Sequence, residues 1–190
     1  MGILFILSAA FIIQLLSKAP ARRGLFGILF LCAAILLVFG FAVYESWQQY
    51  YIWENNDLSK FFLPPHRNFD YFVFYVRSRF FNPYLLSLFF GFLFLYAAKI
   101  LNKKYSERFF EPVEPYLLGG LIFLLGHPLW FFYLIIVLTM NFLLSTFYFL
   151  FSKKKDYRFS FYYMWLPSAI FTILISRWLS ILPWWQLLKF

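Results

Sequence analysis

The chain has 190 residues, 63% of them hydrophobic and 27% aromatic, with 17 Lys and Arg against 8 Asp and Glu and a formal net charge of +9. Soluble domains are about 45–50% apolar, so this composition excludes an ordinary water-soluble globule. Nucleic acid is not an expected partner, because no basic amphipathic helix or nucleic-acid fold signature accompanies the charge. Basic residues collect in the cytoplasmic loops of membrane proteins and touch anionic lipid heads.

Residues 3–17 form an apolar run whose only strongly polar member is Gln14. With no basic region before it and no small-residue cleavage site, it reads as a retained helix rather than a removed signal. Lys18, Pro20, Arg22 and Arg23 make a basic turn, and residues 25–44 then run without a charge. That is the length a helix needs to cross a hydrocarbon core of roughly 30 Å. Residues 45–82 differ: Glu45, Glu54, Asp57, Lys60, Arg67, Asp70, Arg77 and Arg79 are interleaved with Trp, Tyr and Phe. Amphipathic aromatics beside charges suit the headgroup region. We expect a helical continuation over 45–56, a rigid loop over 57–68 around Pro64-Pro65, and a short interfacial or re-entrant helix over 69–81.

Asn82-Pro83 opens the next predicted span, 84–101, and Lys99, Lys103, Lys104 and Arg108 follow it. The apolar run 116–151 is too long for one span. His127-Pro128 divides it into a hairpin of 115–127 and 129–151, since proline removes a helical hydrogen bond. Lys153, Lys154, Lys155 and Arg158 close this hairpin, and a last span is expected over 160–182, with Arg177, Trp178, Trp184 and Trp185 at its exit. The fold class expected is therefore all-α, a single polytopic bundle of about six membrane helices over 1–190 with one aromatic-rich interfacial loop. The basic clusters 18–23, 99–108 and 153–158 all fall on one side, which should be cytoplasmic. Both termini and the 45–82 loop then lie outside.

Ser-His-Asp, Walker-type and dinucleotide-binding signatures are missing. Cys32 is the only cysteine, and His66 and His127 stand apart, so neither a disulfide nor a metal or other cofactor is expected. The acidic residues are the candidates, because carboxylates at membrane depth are costly and default to functional roles. Asp57 leads Asp-Leu-Ser-Lys-Phe-Phe-Leu-Pro, with Lys60 and Pro64. Glu114 leads Glu-Pro-Tyr-Leu-Leu-Gly-Gly-Leu-Ile-Phe-Leu-Leu-Gly, ending at Gly126.

Over roughly residues 50–175 the chain resembles the type IV prepilin peptidases, a family of membrane aspartyl proteases. The offsets that carry the resemblance are Asp57 with Pro64, and Glu114 with Leu117, Phe123 and Gly126. Tyr162 to Phe171, with Pro167, is similar to the family's closing helix. The resemblance implies that Asp57 and Glu114 are a catalytic pair sharing a proton, one acid protonating the leaving group while the other activates water. The substrate implied is a pilin-like membrane segment. Glu114 replaces an aspartate, and its extra methylene shifts the carboxyl by about 1 Å, enough to cost on the order of a hundredfold. Pro112-Val113 replaces the family's Gly-x-Gly, and the cysteine-rich methylating region is missing. The expected topology puts Asp57 outside and Glu114 inside.

Other readings of the same residues stay open. Glu114 before Pro115 is also a helix start, and Asp57 after Asn55-Asn56 is also a turn or N-cap residue. The function expected is a non-catalytic or divergent relative of the prepilin-peptidase core, which binds a membrane partner or pilin-like segment in a bacterial cytoplasmic membrane. The alternatives are an active intramembrane peptidase, and an enzyme of lipid-linked sugars or lipid headgroups. In the latter, Glu45, Glu54 or Asp57 would be the base and Arg67 or Arg77 would grip phosphate.

Overall fold

A computed structural model describes residues 2–16, 20–105, 110–151 and 161–188. The predicted basic cluster 153–158, together with Lys18 and Arg108, lies outside them. Among the described residues every regular element is helical: α1 (Gly2–Leu16), α2 (Pro20–Glu54), α3 (Phe69–Val76), α4 (Asn82–Lys104), α5 (Glu114–Leu125), α6 (Leu129–Phe151), α7 (Trp165–Leu174), α8 (Ser176–Leu179) and α9 (Pro183–Leu188).

Three helical stretches are long and apolar enough to cross a membrane: Gly24–Glu54, Phe69–Lys104 and Leu129–Phe151. Their outer faces are greasy, with Leu36, Leu138, Phe142 and Phe149 all exposed. Lipid accepts such a surface and water does not. By contrast α1, α5 and α7 have 15, 12 and 10 residues. Each falls short of the roughly 20 a straight crossing takes.

Two boundaries differ from the sequence expectation. Asn82-Pro83 does not open a separate helix, because α3 runs into α4 through a π-helical turn, Arg77–Phe81, giving one rod from Phe69 to Lys104. The Asn82 N–H donates to the Arg77 carbonyl five residues back. Proline lacks an N–H and its ring crowds the preceding turn of an α-helix; the wider turn relieves both faults. The segment 69–81 is thus the N-terminal end of a long helix rather than a separate short one. The run 160–182 is likewise not one helix. It breaks after α7 at Ile175 and again before Pro183, whose fixed geometry starts α9.

At the centre lies α5, wrapped by α2, α4, α6 and α7. All of its residues but Tyr116 are buried. Small residues let its neighbours close in. A Cβ built on Gly91 of α4 would lie 2.7 Å from the Gly119 carbonyl oxygen, and one on Gly119 would lie 2.9 Å from that of Gly91. The two backbones therefore touch. On the other side Gly120 faces the Phe30 ring, where a Cβ would come within 2.9 Å. Gly126 ends α5 at φ +71°, a conformation costly for any residue with a side chain. It sits against the Tyr84 ring.

These contacts fix the direction of each helix. Gly27 of α2 lies beside Val113 and Tyr116, and Gln14 of α1 donates to the Tyr162 carbonyl, so these residues mark one end of the bundle. Ile3, Glu45, Tyr84, Leu125 and Ile173 meet at the other. Successive apolar helices run in alternate directions, and Lys99 and Lys103 lie at the Gly27 end.

Candidate functional site

Glu114 sits in the first turn of α5 and is 1% exposed. Its Oε2 accepts a hydrogen bond from the Glu111 N–H at 2.9 Å, three residues back. The first residue of the helix thus reaches back past the N-cap, Val113, to a backbone donor of the approach loop, and its acid sits at the positive end of the helix dipole. Pro112 and Pro115 fit the same turn, since they lack the N–H groups that would otherwise go unpaired. The approach is tied down by Asn102 of α4. Its Nδ2 donates to the Phe110 carbonyl at 2.8 Å, and its Oδ1 accepts from the Phe110 N–H at 3.0 Å. The helix-start reading of Glu114 is thus supported by the bond its Oε2 makes.

Asp57 lies beyond the end of α2, its side chain 98% exposed and 2.9 Å from Lys60 Nζ. The turn is capped not by Asp57 but by its neighbour Asn56, whose Oδ1 accepts from the N–H groups of Leu58 and Ser59 at 3.0 and 3.1 Å. An exposed ion pair of this kind contributes little. We expect Asp57→Asn to leave the thermal midpoint of the detergent-solubilised protein unchanged, as read by circular dichroism.

The structure does not bring the two acids together. The N-terminus of α5 lies beside Gly27, whereas Asp57 follows Glu54 at the far end of the same helix. Roughly 27 residues at 1.5 Å each put about 40 Å between those levels. A proton shared between carboxylates needs them within a few ångströms of each other. The pair implied by the family resemblance therefore has no counterpart in this geometry.

The remaining sequence candidates are scattered too. Among the described residues no three His, Cys, Asp or Glu side chains gather as a ligand set. His127 donates from Nε2 to the Leu188 carbonyl, and His66 packs on the Phe61 ring at 4.9 Å between centroids. The Arg67 guanidinium covers the Tyr71 ring at 4.1 Å.

Sequence reasoning missed a piece of tertiary structure within 45–82. The C-terminal end of α2 and α3 form a helical hairpin with Trp53 at its hub. The Trp53 ring lies 5.4 Å from Phe72, edge to face, 4.8 Å from Tyr75, 5.8 Å from Phe62 and 6.3 Å from Tyr71. The spacing of Trp53 and Tyr50 three residues apart on one helical face was the available signal. Around the hub, Leu58, Phe61 and Phe69 remain exposed at the tip. Below the hairpin, between α1, α2, the π turn and the α5–α6 junction, lies a crevice of about 620 Å³. A second crevice of about 700 Å³ opens at the opposite end beside Lys99, Lys103 and Tyr116; there Lys99 donates to the Tyr116 hydroxyl at 2.8 Å. Comparison of the chain with protein-family models, curated proteins and solved structures finds no match.

Proposed function

We propose that the chain is a non-catalytic subunit of a membrane assembly, a divergent relative of the prepilin-peptidase core that holds a membrane partner at its aromatic hairpin. The observation that carries this reading is the separation of Asp57 and Glu114, one in the open at the hairpin and the other capping a buried helix. Such an arrangement offers no general acid and base to one peptide bond. The hairpin, by contrast, presents exposed Leu58, Phe61 and Phe69 on a braced platform, which is what a partner surface asks for.

In this reading all six apolar helices lie within the bilayer, the shorter ones shielded by the longer. The ends carrying Lys99 and Lys103 face the cytoplasm of a bacterial cell, and the hairpin faces outward. Cysteine labelling tests the orientation directly: with Cys32 replaced, a cysteine at Asp57 should react with a membrane-impermeant maleimide in intact cells, and one at Lys103 should not.

The functional test has two parts. Incubation with a prepilin-like substrate should give no cleavage, and copurification from native membranes should yield a stoichiometric membrane partner. Cleavage that Asp57→Asn or Glu114→Gln abolishes would overturn the reading. The hairpin itself should depend on Trp53. Aromatic pairs contribute about 0.5–1.5 kcal/mol each beyond area burial, so Trp53→Ala should loosen the tip by about 2–3 kcal/mol. Faster tryptic cleavage at Lys60 and Arg67, with helix content unchanged, would register that loss together with release of the partner.

A further inference from the structure

The crevice under the hairpin has an apolar body and a charged mouth. Leu4, Leu37, Phe41, Leu124 and Leu129 line the body, and Glu45 and Arg79 line the same cavity. Its volume of about 620 Å³ lies within the roughly 300–1,000 Å³ of small-molecule sites. The level in the membrane follows from the sequence. Glu45 ends the uncharged run 25–44, and the exposed Tyr44 and Trp47 beside it are the aromatics that seat at a membrane interface. Arg79 belongs to the π turn, an irregularity that recurs at functional sites.

The two charges do not satisfy each other. Among the described residues the one ion pair recorded is that of Asp57 and Lys60, so Glu45 and Arg79 share a cavity without coming within 4.0 Å. Opposite charges facing one apolar cavity at the edge of the hydrocarbon gain by pairing and lose by standing apart. A ligand that carries both signs at a fixed spacing resolves this. Its anion would meet the Arg79 fork, which suits phosphate oxygens, and its cation would meet the Glu45 carboxylate.

We propose that the crevice holds one aminophospholipid, with an acyl chain along the Leu37–Phe41 wall, the phosphodiester on Arg79 and the primary ammonium on Glu45. A phosphatidylglycerol would set its phosphate against Arg79 but offer Glu45 no cation. A phosphatidylcholine would present a quaternary ammonium with no N–H to donate. The site therefore ranks ethanolamine above both. This inference is independent of the assembly role, since it concerns a different surface.

The test is native mass spectrometry of the full chain released from nanodiscs of dioleoyl phosphatidylethanolamine, phosphatidylglycerol and phosphatidylcholine in equal parts. One retained phosphatidylethanolamine per chain, enriched about tenfold over the bulk ratio, is the expected result. Glu45→Gln should erase the preference over phosphatidylglycerol while a lipid is still retained, and Arg79→Gln should lower retention of every phospholipid about tenfold. Glycerophosphoethanolamine, which has the headgroup and no acyl chain, should fail to displace the lipid. Retention at the bulk ratio, no retained lipid, or a Glu45→Gln protein with unaltered preference overturns the proposal. The ratio is read within one folded protein, so loss of folding in the Arg79 variant does not remove the test.

Discussion

Gly119→Val should prevent assembly of the native bundle, with Gly91→Val doing the same from the other side. At this crossing an added Cβ meets backbone, 2.9 Å from the Gly91 oxygen in one direction and 2.7 Å from the Gly119 oxygen in the other. A flexible side chain could swing away; a helix has to move bodily. Because α5 is gripped by α2, α6 and α7 as well, separating it from α4 disturbs every other contact it makes. Overpacking a well-filled core costs about 1–3 kcal/mol for modest insertions, and valine adds two further methyl groups against Leu95, already 3.2 Å from the Gly119 position. We expect a loss of about 3 kcal/mol or more, seen as aggregation on detergent extraction or a thermal midpoint lowered by many degrees. A valine variant that melts with the wild type would show that α4 and α5 do not cross where the structure puts them.

Glu114→Ala should also weaken the buried bundle, at the start of its central helix. It removes the acceptor that holds the Glu111 N–H, next to a loop clasped by Asn102. An orphaned donor costs about 1–3 kcal/mol when fully buried, and the half-buried Glu111 N–H falls toward the lower end of that range. Glu114→Gln keeps an acceptor oxygen at the same reach and should restore most of that loss. The comparison separates a cap from an acid. Under the capping account the glutamine variant melts close to wild type, and amide exchange at Glu111 stays slow. If glutamine is as harmful as alanine, the charge itself does the work and the hydrogen bond does not explain this residue.

Much of this architecture was legible because it rests on length and hydropathy alone. The apolar runs 25–44 and 129–151 lie within α2 and coincide with α6, respectively. Proline misled the reading at Pro83 and helped it at Pro128. The difference is tertiary: Pro83 is absorbed by a π turn inside a packed rod, whereas Pro128 follows a glycine at positive φ that has already ended its helix. The burial of α5 was not legible, since a twelve-residue apolar segment looks the same whether its neighbours are lipid or leucine. Gly119 and Gly120 hinted at close packing, but their partners Gly91 and Phe30 are far away in sequence.

For the candidate site the limits were of the same kind. Motif offsets paired Asp57 with Glu114, yet offsets carry no information about which end of a helix a residue reaches. The charge pattern did carry it and set the acids apart, and the structure places them at opposite ends of the bundle. Arg79 stood only as one of the charges interleaved with aromatics over 45–82, because its cavity is built from residues as distant as Ile3 and Leu129. Only the folded chain assembles that wall.

The enclosure of α5 bears on how the polypeptide is made. A rod with no face turned to oil gains little by dissolving there alone, so its greasiness becomes useful only once company is present. Ribosomes deliver α2 and α4 before α5, and with them the two walls that carry Phe30 and Leu31 on one side and Gly91 and Leu95 on the other. The fifth helix joins these walls, which pack on it far more than on each other, and the sixth and seventh arrive as its cover. Order of synthesis and order of burial run in the same sense, which spares the newborn chain an exposed, short and proline-tipped segment with nowhere to go.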